Sequence, residues 1–160
     1  MVKNFKFQIS NFKLGFSLIE LLVVIGIMGT LITILLPNFI GARQRGQDAR
    51  RKLDLEQIRS ALEQYRSVNG SYPRFLSTLT SGTIYISTLP TDPVAASGYT
   101  YQYTSLPAGC TTAGPTFCTD YTIGATLTTG SGCTTTPTGT CGPSAAACNY
   151  CLGPFGVKWL

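Results

Sequence analysis

The 160-residue chain contains no histidine, the side chain that most often serves as a general base or a metal ligand. Without histidine, no serine-histidine-acid catalytic arrangement can form. Charge is also scarce beyond residue 73, and no glycine-rich phosphate-binding motif occurs anywhere. These absences predict a protein that is not an enzyme, with no catalytic residue, cofactor or metal site.

A long uncharged stretch lies near the amino terminus. Residues 21–36 carry no charge, and the 21 positions of 16–36 contain one ionisable side chain, Glu20. At about 1.5 Å per helical residue, this stretch is long enough to cross a bilayer core of about 30 Å. An unpaired carboxylate near the end of such a span costs on the order of a few kcal/mol. Glu20 is therefore expected to need a cation.

The sequence Gly-Phe-Ser-Leu-Ile-Glu at 15–20, followed by the apolar run, resembles the processing motif of type IV pilins and type II secretion pseudopilins. The motif likeness covers about the first 40 residues, and a looser one continues to about Tyr103. The resemblance implies that a prepilin peptidase cuts after Gly15 and methylates the new amino terminus at Phe16. It also implies that Glu20 pairs with the terminal amine of a neighbouring subunit during assembly.

Cleavage after Gly15 would place an ammonium group at Phe16, about one helical turn from Glu20 on the same face. The alternative is that Glu20 only marks the aqueous edge of a membrane anchor. Pro37 ends the apolar run, where it could kink or locally open the helix during assembly, as the resemblance implies. It could equally mark a bend at the membrane interface.

Residues 43–68 have the pattern of an amphipathic helix, with one apolar face formed by Leu55, Ile58, Leu62 and Tyr65. Asn69-Gly70 predicts the end of this helix. Surface ion pairs at helical spacing are possible for Arg50 with Asp54, Arg59 with Glu63, and Glu63 with Arg66. We predict a leader at 1–15, a transmembrane assembly helix at 16–40 and an amphipathic helix at 41–70.

The remaining residues, 71–160, predict one small β head. Short β-like runs occur at 83–87, 99–104, 121–127 and 155–160, and the last could instead be a loose tail. Antiparallel strands laid on the apolar helical face would bury these residues. The predicted fold class is α+β: a long amino-terminal helix, a small antiparallel sheet, and a disulfide-rich loop region near the carboxyl end.

All six cysteines lie in the last third of the chain, in a region that the anchor would expose outside the cytoplasm. This pattern predicts a disulfide framework, for which six cysteines allow 15 pairings. Bridges between near neighbours are favoured. The cysteines are Cys110, Cys118, Cys133, Cys141, Cys148 and Cys151, and the favoured pairs are Cys110 with Cys118 and Cys133 with Cys141.

Other chemistry has weaker support. Cys148 and Cys151 have the spacing of a thiol redox motif, but the usual strand-to-helix context is missing. A zinc site drawn from the last four cysteines would have irregular spacing. The resembled family often holds calcium in an acid-bearing loop, whereas here Asp92 and Asp120 are the only acids after Glu63.

The main functional prediction is a structural subunit of a type IV pilus or a type II secretion pseudopilus. The resemblance implies a prepilin peptidase, like subunits, the membrane, and a platform with its ATPase as partners. It also implies a single-pass inner (cytoplasmic) membrane precursor whose head lies outside the cytoplasm, with a periplasmic or extracellular filament after assembly.

Two alternatives remain. A DNA-binding minor pilin is suggested by the basic residues of 43–52 and the tyrosines of the head. However, loss of three leader lysines leaves nine basic against seven acidic side chains, so the charge balance does not favour nucleic acid as a partner. The other alternative is a membrane-tethered thiol-disulfide oxidoreductase that uses Cys148 and Cys151.

Overall fold

The computed structural model describes residues 15–130, 132–134 and 136–158. The predicted leader, apart from Gly15, and the end of the predicted tail, Trp159 and Leu160, lie outside the described residues. The chain forms two units, one up to Gly41 and one from Ala42 onward. The predicted α+β class is confirmed: a long helix, a four-stranded antiparallel sheet and three disulfides are present.

Helix α1 spans Leu18–Asn69 and contributes residues to both units. It begins after Ser17, whose carbonyl oxygen accepts a hydrogen bond from the N–H of Leu21 at 3.2 Å. Glu20 in the first turn favours this start, because negative charge stabilises the amino-terminal end of a helix. The helix continues through Pro37, so this proline does not end it.

The helix ends where the sequence predicts. Gly70 adopts a φ of 74°, a left-handed conformation that glycine takes without steric cost. The N–H of Gly70 donates to the carbonyl of Arg66 at 2.8 Å, and the Asn69 amide donates to the carbonyl of Tyr65 at 2.9 Å. These bonds satisfy carbonyl groups that would otherwise lack partners at the end of a helix.

The apolar face of the second part of α1 forms the core of the unit that begins at Ala42. Its four predicted residues are at most 8% exposed and pack in one cluster with side chains of the sheet. Burial of each such side chain contributes roughly 1.5–3 kcal/mol. The predicted amphipathic face is therefore confirmed. The face comprises Leu55, Ile58, Leu62 and Tyr65, and the sheet residues include Tyr121, Ile123 and Leu152.

The sheet has the strand order β1-β2-β3-β4, with every neighbouring pair antiparallel. Gln102 lies opposite Gly124, Ile123 opposite Leu152, and Leu152 opposite Val157. The strands are β1, Gln102–Leu106; β2, Asp120–Ala125; β3, Tyr150–Gly153; and β4, Gly156–Val157. The first two lie close to predicted runs, and the last is a two-residue remnant of the predicted 155–160.

Two strand predictions are wrong. Residues 83–87 form no strand, because the N–H groups of Tyr85 and Ile86 both donate to the carbonyl of Leu79 and hold this segment as a loop. Conversely, β3 lies in a segment predicted to be loop. All four of its residues are buried, because Leu152 faces the main core while Cys151 faces a second cluster of cysteines.

The disulfides join Cys110 with Cys118, as favoured, and then Cys133 with Cys151 and Cys141 with Cys148. The favoured Cys133–Cys141 bridge is therefore wrong. Proximity along the chain does not decide the pairing here, because strand β3 carries Cys151 to the far face of the sheet. Gly124 of β2 allows this packing, since a Cβ at that position would lie 2.9 Å from the Cβ of Cys148.

The predicted ion pairs along α1 are partly wrong. Arg50 does contact Asp54 at 3.5 Å, but Arg59 pairs with Glu56 at 3.1 Å. Glu63 and Arg66 instead share the buried Tyr72: the tyrosine hydroxyl donates to the Glu63 carboxylate and accepts from the Arg66 guanidinium. Tyr72, just beyond the end of the helix, thus replaces the predicted contact between Glu63 and Arg66.

Tyrosines between helix and sheet predict a specific response to alkaline pH. Burial raises the pKa above its ordinary value for Tyr72, Tyr101, Tyr103, Tyr121 and Tyr150. A hydrogen bond of 2.8 Å to the Asp54 carboxylate raises the pKa of Tyr101 further. These residues stay neutral in the folded chain at a pH where the unfolded chain ionises. Their stabilising contribution is therefore complete below pH about 10 and is lost as the pH rises towards the folded pKa values.

We expect these five tyrosines to ionise only above pH about 10, with a rise in tyrosinate absorbance that coincides with loss of the fold measured by circular dichroism. The chain in denaturant serves as the control and should titrate in a single step near pH about 10. Complete ionisation of the tyrosines near pH about 10 in the native chain, with the fold retained, would contradict the expectation.

Candidate processing and assembly site

Gly15, Phe16 and Ser17 precede the helix in irregular backbone, and the Phe16 side chain is 84% exposed. The peptide bond between Gly15 and Phe16 thus lies before the helix, in backbone without regular secondary structure. A peptidase needs an extended segment, because backbone bonds held in a helix are not available to it. The geometry at this bond suits cleavage without unfolding of α1.

Glu20 lies in the first turn of α1 and is exposed. Negative charge is favourable there because the first N–H groups of a helix have no partners within it. Within the part of the chain that the structure describes, no cation forms an ion pair with Glu20. If the carboxylate enters an apolar environment, a new amino terminus or another molecule must supply its cation.

The amino-terminal part of α1 is covered with apolar side chains that face outward. Every large apolar side chain described from Phe16 to Ile40 is at least 43% exposed. Leu18–Leu35 is long and apolar enough to cross a membrane. Continuous apolar surface of this extent needs lipid or other apolar helices around it.

The polar side chains inside this segment are satisfied within the helix. The hydroxyl of Thr30 donates to the carbonyl of Ile27, and that of Thr33 donates to the carbonyl of Thr30, each at 2.8 Å. Such bonds remove the cost of placing hydroxyl groups in a medium without water. Glu20 is then the one side chain of the segment whose charge demands an external partner.

The unit from Ala42 onward contains a buried charge cluster that the sequence analysis did not find. Arg51 is 3% exposed and makes two hydrogen bonds to the Asp92 carboxylate, the shorter being 2.7 Å. Its guanidinium also donates to Asp48 at 2.9 Å and lies 4.7 Å from the centre of the Tyr99 ring. The cue in the sequence was a lone acid, Asp92, in an otherwise uncharged segment.

The two acids of this cluster also accept bonds from backbone groups. The N–H of Val94 donates to Asp92, and the N–H of Thr128 donates to Asp48. Burial by itself would lower the pKa of Arg51, but the hydrogen bonds and charges of Asp92 and Asp48 outweigh it and raise that pKa. The cluster ties the helix to two loops that are distant along the chain.

This cluster weakens the nucleic-acid alternative. Arg51 is buried, and Arg50 contacts Asp54. Lys52 lies over the Tyr150 ring at 5.4 Å. Three of the five basic residues at 43–52 thus contact other side chains of their own unit, and the buried Arg51 is not available to phosphate groups.

The redox and zinc alternatives lack free thiols. Cys148 and Cys151 are bonded to two other cysteines and not to each other, and all six thiols are in disulfides. Residues 15–130, 132–134 and 136–158 hold no group of three potential metal ligands. The two late acids are also occupied: Asp92 by Arg51, and Asp120 by the Lys158 ammonium at 3.0 Å.

Comparisons with known proteins match part of the chain. Residues 11–36 match the family described as the Prokaryotic N-terminal methylation motif. The chain is 32% identical over 79 residues to Type II secretion system core protein G of Vibrio cholerae, covering 49% of this chain and 51% of that protein. It is 32% identical over 85 residues to the Escherichia coli protein of the same name, covering 53% and 56%.

The chain is also 36% identical over 61 residues to Type IV major pilin protein PilA of Myxococcus xanthus, covering 38% of this chain and 28% of that protein. The chain thus spans about half the length of the secretion relatives it matches. None of these names denotes an enzyme. No solved structure matches the chain with comparable significance.

Proposed function

Because the chain belongs to the type IV pilin and type II secretion pseudopilin family, we propose that it is a structural subunit of a helical filament. The observation that carries the proposal is the exposed apolar surface of residues 16–36, in which Glu20 is the only ionisable side chain. A surface of this kind is stable in lipid before assembly and among like helices after it.

Processing is the first proposed step. A prepilin peptidase removes residues 1–15 and methylates the amine of Phe16. The irregular backbone at 15–17 and the exposed Phe16 support this assignment. Cleavage keeps the apolar helix on the product, so the subunit remains anchored in the inner membrane with its head outside the cytoplasm.

Assembly is the second proposed step. Helices stack side by side, and the Glu20 carboxylate of one subunit pairs with the Phe16 ammonium of a neighbour. An unpaired charge is costly among apolar helices. Neighbouring helices should therefore pack in the register that brings the Glu20 carboxylate next to the Phe16 ammonium. Pro37 is proposed to allow local opening of the helix in the filament. A membrane platform and an ATPase would supply the subunits and the energy.

The decisive test compares processing with fibre formation. Gly15→Val should leave the leader attached, as detected by mass spectrometry of the amino-terminal peptide. Glu20→Gln keeps the shape of the side chain and removes its charge. It should be processed normally but lower the fibre yield by at least about tenfold, because it leaves the Phe16 ammonium buried without its partner, which costs about 3–5 kcal/mol.

Ser17→Ala, a change in the same exposed segment, is the control and should support normal processing and fibres. Normal fibre yield from Glu20→Gln would refute the assembly role of this carboxylate. Fibres made of chains that still carry residue 1 would refute the processing step.

The longer alignments with secretion-system proteins favour a pseudopilus over a retractable pilus. Deletion of the gene should then abolish export of proteins through the outer membrane and leave surface motility intact. The opposite pair of results would assign the subunit to a pilus.

A further inference from the structure

The turn between β3 and β4 holds an aromatic side chain fully in solvent. Phe155 is 97% exposed and occupies a two-residue turn with Pro154. The Arg59 guanidinium donates to the carbonyl of Pro154 at 3.1 Å, so helix α1 braces the turn. Exposure of an apolar ring to water is unfavourable, whereas an interface gains from burying it. The braced backbone of the turn limits the conformational freedom that is lost on docking.

The opposite edge of the sheet carries an aromatic-lined cleft. The cleft has a volume of about 480 Å³ and runs beside edge strand β1. Its walls include Phe75, Tyr101 and Tyr103. Hydrogen bonds from Tyr101 to Asp54 and from Tyr103 to the carbonyl of Pro73 fix two of these rings, so the cleft is present before anything binds.

The two features differ in charge. Arg74 lines the cleft, is exposed, and forms no ion pair within the described residues. Beside the turn, Glu56 pairs with the same Arg59 that braces Pro154, and the Glu56 side chain remains 48% exposed. The exposed aromatic thus has an acid near it, and the cleft has a cation.

We infer that the Phe155 turn of one chain docks into the β1 cleft of a second copy, with Glu56 of one chain facing Arg74 of the other. The occupant is a second copy because one chain carries both complementary halves at opposite edges of its sheet. A contact between two different surfaces is head-to-tail, and head-to-tail contacts that do not close into a ring propagate as an open helix. The inference rests on the proposed function, since it names the head contact within that filament.

The test places a photoreactive benzoyl-phenylalanine at position 155 of the full chain and irradiates assembled fibres. Mass spectrometry should locate the cross-link in a neighbouring chain within 73–76 or 101–105. A cross-link elsewhere, in fibres that form normally, would overturn the inference and leave the proposed function standing. Absence of fibres from the unmodified chain would instead count against the proposed function.

Substitutions provide a second measurement. Phe155→Ala should lower the fibre yield about tenfold or more, as truncation of a central aromatic anchor does. Phe155→Leu should retain most of the yield. Ile84→Ala removes a side chain that is 67% exposed and lies outside both features, and it should change the yield by less than about twofold.

A charge exchange tests the proposed pair. Arg74→Glu and Glu56→Lys should each reduce the fibre yield, and the two changes together in one chain should restore it, because the pair then forms with reversed signs. Additive losses in the double variant, or full yield in both single variants, would overturn the pairing.

Discussion

Replacement of Arg51 by methionine is expected to destabilise the unit that begins at Ala42 by roughly 3–5 kcal/mol. The substitution leaves Asp48 and Asp92 buried without their common cation. Asp92 would keep only the Val94 N–H among the bonds described above, and Asp48 only the bonds from Thr128. Buried carboxylates cannot recover the water they lost, so the cost exceeds that of a surface pair.

The measurement is denaturant unfolding of the full chain in detergent, followed by near-ultraviolet circular dichroism. The adjacent Arg50→Met is a matched control, because Arg50 is 71% exposed and makes a 3.5 Å contact with Asp54. We expect it to cost no more than about 1 kcal/mol. Equal effects of the two substitutions would mean that the Arg51 cluster does not stabilise the fold.

Removal of the Cys133–Cys151 disulfide, by alanine at both positions, is expected to cost about 3 kcal/mol from the 18-residue loop that it closes. The effect should also be local. This bridge ties the loop before Pro137 to strand β3, and Cys151 lies in the buried cysteine cluster behind the sheet. Without it, amide hydrogens of β3 should exchange faster than those of β1.

The Cys110–Cys118 bridge provides the comparison. It closes an eight-residue loop, so its removal should cost about 2.5 kcal/mol by the same relation. Its cysteines belong to the main core, far along the chain from β3, so exchange in β3 should follow global stability alone. If the two double variants change β3 exchange to the same extent, the local role of Cys133–Cys151 is wrong.

Both results bear on the proposed filament. In the proposed filament, a head held by buried ions and disulfides would keep the Phe155 turn and the β1 cleft in place, and disulfides suit the proposed location outside the cytoplasm, where thiols oxidise. Loss of the Arg51 cluster or of the Cys133–Cys151 bridge should therefore lower the fibre yield while leaving the proposed processing at Gly15 unaffected. The unfolding free energy of the head and the fibre yield can be measured on the same preparations, and we expect the two to fall together.

The local sequence pattern was sufficient to predict the apolar face of the helix and the residue at which the helix ends. The face of Leu55, Ile58 and Leu62 follows from a periodicity of 3.6 residues, which any helix must obey. The stop at Asn69-Gly70 follows from the left-handed conformation that glycine permits. In contrast, β3 could not be predicted, because both of its faces are buried and its alternation is therefore lost.

The sequence by itself determined the apolar helix, its single carboxylate, the glycine before Phe16 and the amphipathic continuation. These depend on composition and on spacing within a few turns of one helix. Only the tertiary structure decided which cysteines pair, that Arg51 is buried with Asp92, and that Phe155 and its cleft lie at opposite sheet edges. Those facts join residues tens of positions apart, and packing, rather than local preference, brings such residues together.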